Sequence, residues 1–351
     1  MPKRDFFVKE EELDDYQVKI INKRTDSSFI VKGCAGSGKS ILALWKAKQL
    51  QKNGNSFLFV IFTKALKQYM KDGISQIGLS ASNVENYNQC FHWSKEGGTW
   101  QQGDWKKGEY DYLIVDEAQD FSKEDILLFK SKATKALLLY GDSAQQLYNF
   151  FTDKTAISMD EMAYITKFPT EPLVFNHRLP KKIARLAEYI NIENDDLEIR
   201  CRKEGNELPK ILKYNSFNAE LDAISEIIKN RNFEDIGILL RNNVDVKNVA
   251  DYLTRKGLNV EAKVKDDVEL NFNSSNPKIM TYHSSKGLQF EAVFLPECTV
   301  SGQDDRNPLY VAITRTYQSL YIMHSGNLSS FFDDVPTNLY ETSFTTKIVD
   351  L

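Results

Sequence analysis

The sequence predicts an α/β protein built as two domains of similar size, and three observations predict it. Short, continuous apolar runs of the kind that form strands buried on both faces recur along the whole chain. Between them lie longer segments whose apolar residues fall at helical spacing. The length of 351 residues is more than one ordinary core needs and suits two.

Composition narrows the class. Hydrophobic residues make up 42% and charged residues 27%, an ordinary globular balance. A net charge of −4 argues against a generally basic protein that coats nucleic acid. A local basic groove remains compatible with it, because binding depends on the charge at the site. The cysteines Cys34, Cys90, Cys201 and Cys298 are far apart and form no C-x-x-C, which points to reduced thiols rather than a metal centre. The start, Met1-Pro2-Lys3-Arg4-Asp5, has no apolar signal region, and no later run reaches membrane-spanning length. The expectation is a cytoplasmic protein without a membrane partner.

In chain order, a charged stretch, Lys9 to Glu12, leads into a predicted helix from Leu13 to Ile21, capped by Asp14 or Asp15. Taken from this segment alone, Gln17 reads as a solvated helix residue. A strand ending Phe29-Ile30-Val31 then meets Gly33-Cys34-Ala35-Gly36-Ser37-Gly38-Lys39-Ser40, followed by the helix-favouring run Ile41-Leu42-Ala43-Leu44. Strand, glycine loop and helix in that order make a phosphate-binding loop. Gly33 and Gly38 are expected to supply the backbone dihedrals that aim amide N–H groups at phosphate oxygens. Lys39 is placed to reach the β- and γ-phosphates, and the Ser40 hydroxyl to ligate Mg²⁺.

A buried strand is predicted over Ser56 to Phe62, ending at Phe62-Thr63-Lys64 before an amphipathic helix. A short strand and turn fall near Val84 to Cys90. The aromatic, glycine-containing stretch from Phe91 to Trp105 reads as a loop or small insertion. Tyr110 to Asp120 is a strand delivering Asp116 and Glu117 at its C-terminal end, where parallel sheets bind ligands. Asp116 suits the Mg²⁺ shell, and Glu117 suits orienting or deprotonating an attacking water. The strand Ala136 to Tyr140 runs into Gly141-Asp142-Ser143-Ala144-Gln145-Gln146-Leu147-Tyr148-Asn149-Phe150, polar groups at a strand end beside aromatics. Asp153 to Thr170 reads as the connection between halves.

Beyond it, strands are predicted near Leu173–Phe175, Lys210–Tyr214, Ile236–Leu240, Lys278–Tyr282, Ala292–Leu295 and Ser319–Met323. Helices are predicted near Pro180–Ile190, Phe217–Asn230, Asp245–Lys256 and Asn307–Thr314, with Pro180 and Pro308 at helix starts and Gly257 at an end. Three groups stand out: Asn176-His177-Arg178, the stretch Thr281 to Glu291, and Tyr310 to Arg315. Both Arg178 and Arg315 sit in partly apolar settings, which favours paired or phosphate-facing roles.

Together these segments resemble the ordered motif set of superfamily 1 helicases, the UvrD/Rep/PcrA-like group, from Gln17 to about Met323. The resemblance implies two RecA-like P-loop NTPase domains with parallel sheets and an ATP cleft between them, spanning 1–160 and 161–351. It implies an ATP-dependent translocase or helicase on single-stranded nucleic acid, most simply DNA with RNA not excluded, moving 3′→5′ and using Mg²⁺. By position, Gln17 matches the adenine-reading glutamine, against the solvated reading above. Gln145 matches the γ-phosphate sensor, and Arg178 and Arg315 the arginine fingers. With Lys39 and Glu117 they form the implied catalytic set. The implied ATP contacts are Gln17, Gly33, Ala35, Gly36, Ser37, Gly38, Lys39, Ser40, His177, Gly287 and Gln289, with Ser40 and Asp116 on the metal. The strand track matches Phe62, Thr63, Tyr148, Phe150 and His283, and Tyr87 and Asn88 more loosely.

The chain departs from the family pattern in three places. His177 stands where Tyr is usual and Gln289 where Glu is usual. The intervals Lys64–Asp111 and Arg178–Thr281 are short, so the large accessory subdomains are expected to be absent. An alternative is therefore an ATPase switch or binding subunit that acts with a protein partner and does not unwind alone.

Overall fold

The computed structural model describes residues 12–145, 155–191, 196–265, 268–299 and 302–343. The chain divides into two compact units, Met1–Val174 and Phe175–Leu351.

The first unit runs α1 (Asp15–Asn22), β1 (Phe29–Gly33), α2 (Lys39–Lys52), β2 (Phe57–Ile61), α3 (Lys64–Gln76) and β3 (Val84–Asn86). It continues with β4 (Phe91–Glu96), β5 (Thr99–Trp105), β6 (Tyr110–Val115), α4 (Lys123–Lys132), β7 (Ala133–Gly141), α5 (Met159–Thr166) and β8 (Thr170–Leu173). Six strands form one parallel sheet in the order β3-β2-β6-β7-β1-β8. Every residue of β2 is buried, which is why its sequence shows no polar alternation. β7 lies between β1 and β6, so the ends of all three strands are neighbours. The core beside them joins Ile30, Leu58, Val115, Phe121, Leu139 and Met162. Burying each such side chain stabilises by about 1.5–3 kcal/mol.

Two expectations change here. The stretch from Phe91 to Trp105 is an antiparallel hairpin, not a loop, because Gly97 and Gly98 (φ 56° and 86°) supply the positive dihedrals of a two-residue turn. Nor is the region up to Thr170 only a connection. Met159 and Met162 of α5 are buried in the first core, and β8 pairs with β1 from Ile30↔Thr170 to Gly33↔Leu173. The first unit therefore extends to Val174, past the expected division at 160/161, which falls inside α5.

The second unit runs β9 (Asn176–Pro180), α6 (Lys181–Ile190), α7 (Leu197–Arg200), β10 (Cys201–Lys203), β11 (Lys210–Lys213), α8 (Phe217–Arg231) and β12 (Ile236–Leu240). It ends with α9 (Asn243–Arg255), β13 (Glu261–Ala262), β14 (Lys278–Thr281), β15 (Phe290–Leu295), α10 (Gln303–Ile313) and β16 (Thr316–His324). A six-stranded parallel sheet has the order β11-β16-β15-β12-β14-β13, and β9 pairs separately with β10. The strand expected over Leu173–Phe175 is replaced by β8 and β9, one in each unit.

The last helix starts at Gln303, a turn before the expected Asn307, so Pro308 lies inside it. Pro308 forfeits one helical hydrogen bond and is buried. Asp304 and Asp305 in the first turn complement the helix dipole. Each unit is a RecA-like α/β domain. The interval between α3 and β6 holds β3 and the hairpin, and that between β9 and β14 holds only elements of the second unit, so the described residues contain no separate accessory subdomain. No helix among the described residues is long and apolar enough to cross a membrane.

Candidate functional site

The glycine loop is held by space as much as by dihedrals. At Gly33 a Cβ would lie 2.5 Å from Ser37 Oγ and 2.8 Å from Leu173 Cβ, so β8 packs where any side chain would project. The left-handed residues are Gly36 (φ 73°) and Gly38 (φ 87°), so the special dihedral expected at Gly33 belongs to Gly36. Ala35 and Ser37 are buried within the turn. α2 begins at Lys39 with Gly38 as its N-cap and no side-chain cap, which leaves its first amide donors for an anion. Lys39 is 7% exposed; its Nζ donates to the carbonyls of Gly33 (2.9 Å) and Cys34 (3.0 Å) and lies 3.9 Å from Asp142.

Gln17 is buried, not solvated. Asp14 caps α1 in a reciprocal capping box with Gln17. That leaves Gln17 Nε2 to donate to the carbonyl of Ser37 at 3.1 Å, seating the residue on the loop. The helix is fixed on both sides. Lys19 and Lys23 pair with Glu171 of β8, and buried Lys46 of α2 donates to the carbonyls of Ile21 and Lys23.

Asp116 and Glu117 follow β6 directly. Asp116 is fully buried; one oxygen accepts the N–H of Glu117 at 3.0 Å and Oδ2 has no hydrogen-bond partner. Burial and the Glu117 charge push its carboxyl up to about 7, partly offset by the Ser40 hydroxyl and Lys39. A buried carboxyl with an unsatisfied oxygen beside a hydroxyl fits a Mg²⁺ site, because an added cation would relieve both burial and repulsion. Glu117 adopts φ 54°, a left-handed conformation that costs on the order of 1–3 kcal/mol outside glycine. Gln119 Nε2 donates to Glu117 Oε2 at 2.5 Å, and its Oε1 accepts the N–H of Asp142 at 2.9 Å. Gln145 Nε2 in turn donates to Asp142 Oδ2 at 2.6 Å. A buried chain thus runs from Glu117 through Gln119 and Asp142 to Gln145, with Lys39 alongside. Gln119 and Asp142 carry no role in the sequence reading. The signal for them in the sequence is their place in the polar turns Asp116–Asp120 and Gly141–Gln145, directly after buried strands.

The second unit gathers its own group. Arg315 is 1% exposed; its Nε donates to the carbonyl of Val311 (2.8 Å) and its Nη2 to Thr314 Oγ1 (3.1 Å). Arg178 Nη2 donates to the carbonyl of Thr314 at 3.1 Å, so both arginines meet at one residue. Asn176 aims β9 by accepting the N–H groups of Arg178 and Leu179, both at 2.9 Å, and His177 is half-buried beside it. After β14, Thr281 Oγ1 accepts the N–H of Ser284. Gly287 closes the turn at φ 78°, and Gln289 is half-buried before β15. Burial, with Lys286 nearby, holds the His283 imidazole below its usual pKa.

For the strand track, Phe62 and Thr63 are half-buried after β2, with the Thr63 hydroxyl capping α3 through the N–H of Leu66. Tyr87 is committed to packing: its ring meets Phe91, Phe121 and Phe129 edge-on, and its hydroxyl donates to Asp125 at 2.7 Å. Asn88 is exposed. Tyr148 and Phe150 lie outside the described residues.

The family model for the UvrD-like helicase C-terminal domain matches residues 278–323, and that for an AAA domain matches residues 17–151. A protein of Rickettsia conorii described as "Probable DNA helicase II homolog" is 32% identical over 132 residues, 33% of this chain and 19% of the relative. One of Mycoplasma pneumoniae described as "Probable DNA helicase" is 28% identical over 249 residues, 63% of this chain and 44% of the relative. The chain spans less than half the length of these relatives. Among solved structures, the Arterivirus nonstructural protein 10 helicase is similar with a TM-score of 0.44 and 17% identity, covering 88% of this chain and 61% of that one. The order of the motifs, both family models and these relatives support a likeness to the UvrD/Rep-like superfamily 1 helicases.

Proposed function

We propose that the protein is an ATP-driven motor on single-stranded DNA, moving 3′→5′ as that likeness implies. The observation that carries this reading is the buried chain Glu117–Gln119–Asp142–Gln145 beside Lys39, which links the water-activating carboxylate to the residue expected to sense the γ-phosphate. When bound, Mg·ATP supplies the bond to be cleaved and the metal charge that neutralises its phosphates. Ser40 and Asp116 hold the metal. The free amides at the start of α2 and the Lys39 ammonium hold the phosphates, and Gln17 reads the base. Glu117 orients the attacking water and draws its proton. Arg178 and Arg315 supply positive charge to the transition state, and His177, Gly287 and Gln289 contact the nucleotide from the second unit. Cycles of closure and reopening of the two units then move the strand past Phe62, Thr63, Asn88 and His283.

The test is the ATPase rate with single-stranded DNA, single-stranded RNA and neither, across a salt series. Stimulation of at least tenfold by DNA supports the motor; identical rates in all three contradict it. A second reading, a DNA-gated ATPase switch serving a protein partner, is favoured by the lack of accessory subdomains among the described residues. Robust duplex unwinding by the protein alone eliminates it.

A further inference from the structure

The hairpin β4–β5 carries a surface that the nucleotide chemistry does not use. The register Trp93↔Gln102 and Lys95↔Trp100 places these four side chains on one face, because cross-strand partners share a side; it shifts between Phe91 and Trp93, with Phe91 paired to Trp105 beyond the irregularity. At its base Phe91 is buried, edge-on to Trp105 (5.5 Å) and to Tyr87 (4.9 Å). Toward the tip the aromatics come out into solvent: Trp93 is 39% exposed and Trp100 64%. The tight turn at Gly97 and Gly98 makes the tip a short ribbon rather than a long loop. Two hydrogen bonds tie this ribbon to the segment expected to touch the strand. Gln102 Nε2 donates to the Tyr87 hydroxyl at 3.0 Å, and Trp93 Nε1 donates to the carbonyl of exposed Asn88 at 2.7 Å.

The chemistry of that face is selective. Among the paired residues Trp93, Lys95, Trp100 and Gln102 the single charge is Lys95, directly opposite Trp100. Trp93 and Trp100 are diagonal neighbours, a spacing of about 7–8 Å between backbone positions. That is about twice the ~3.4 Å separation of stacked bases, enough to hold one base between two indoles. Indole faces stack bases of any sequence, and one ammonium between them suits a phosphate.

We propose that Trp93, Lys95 and Trp100 form a base-stacking platform for single-stranded DNA that extends the track of Phe62, Thr63 and Asn88 along the hairpin. This assignment rests on the motor reading above. It gives Tyr87 a different part from the one expected: it is the half-buried anchor of the platform, and the exposed contacts lie on the hairpin.

The test uses the full chain with labelled oligothymidylates, one long and one just long enough for the core track, and reads binding by anisotropy. Trp93→Ala and Trp100→Ala each weaken the long oligonucleotide by on the order of tenfold and leave the short one unchanged. Trp100→Phe retains most of the affinity, and Lys95→Ala reduces the salt slope by about one. ATPase without DNA stays at the native rate in all of them. In the unaltered protein, acrylamide quenching of tryptophan fluorescence falls when the long oligonucleotide binds, a readout that needs no variant to fold. Unchanged quenching, or Trp variants that bind both lengths like the native protein, overturns the platform while leaving the motor intact; so does an equal loss for both lengths. A native protein that binds neither length overturns the motor reading and the platform with it.

Discussion

The side-chain carbonyl of Gln119 accepts the backbone N–H of Asp142 at 2.9 Å, tying the turn after β6 to the turn after β7. Its amide end simultaneously holds Glu117. One neutral side chain therefore fixes the position of a carboxylate that is itself on a left-handed backbone. Removing it takes away this hold on Glu117 and leaves the Asp142 amide buried without its acceptor. Gln119→Ala is expected to lower kcat for ATP about a hundredfold with KM changed less than threefold, because orientation of the base is lost while phosphate binding is kept. Steady-state ATPase kinetics check this; a change confined to KM would contradict it.

The approach of β8 to the loop predicts an unusually sensitive glycine. Gly33→Ala would push a methyl into Ser37 Oγ and Leu173 Cβ. The expected result is a loss of about 1–3 kcal/mol of stability and failure to bind a fluorescent ATP analogue, read by thermal unfolding and by titration.

Lys46 makes stability depend on pH in a defined window. Burial, with the Lys23 charge, lowers its ammonium from 10.5 to about 8. Below pH 8 the folded and unfolded chains both carry the charge, and the fold bears its desolvation cost. Between pH 8 and 10.5 the folded chain releases the proton first, so the unfolded chain binds more protons and stability rises with pH. Lys46→Met lacks this rise, and the stability difference between native protein and variant should move by roughly 3 kcal/mol in favour of the native protein across that window. Urea unfolding at pH 7.5 and 10.5 measures it. The variant should also raise KM for ATP, since Lys46 seats the helix that carries Gln17.

Arg315 and Arg178 share Thr314 but through different atoms. Arg315→Ala is expected to retain ATP binding and lose turnover by on the order of a thousandfold. Thr314→Val removes only the hydroxyl that steadies Arg315, and a drop of about tenfold would place that hydroxyl in the same function. Single-turnover hydrolysis separates the two.

The sequence made the strands and the phosphate loop legible because a strand buried on both faces leaves nothing polar in its run, as in Phe57–Ile61 and Ile236–Leu240. Gly33 shows where that reading stops. Its need for glycine comes from Leu173, a residue of β8 that only the folded sheet brings alongside. The hairpin is not legible in the sequence because Phe91–Trp105 mixes inward aromatics with outward ones, and only the register sorts them. Local preference puts Pro308 at a helix start, yet it lies buried inside α10. Gln119 was hidden for a related reason: its partners lie on two separate turns that the sheet order β6-β7 makes adjacent.

ATP turnover is expected to move this protein along a single strand. The most direct measurement is ATP-dependent displacement of streptavidin from single-stranded DNA biotinylated at one end or the other. Faster release from the 5′ end, abolished by Lys39→Ala and by Glu117→Gln, is the predicted result. DNA-stimulated hydrolysis with no displacement from either end would contradict it.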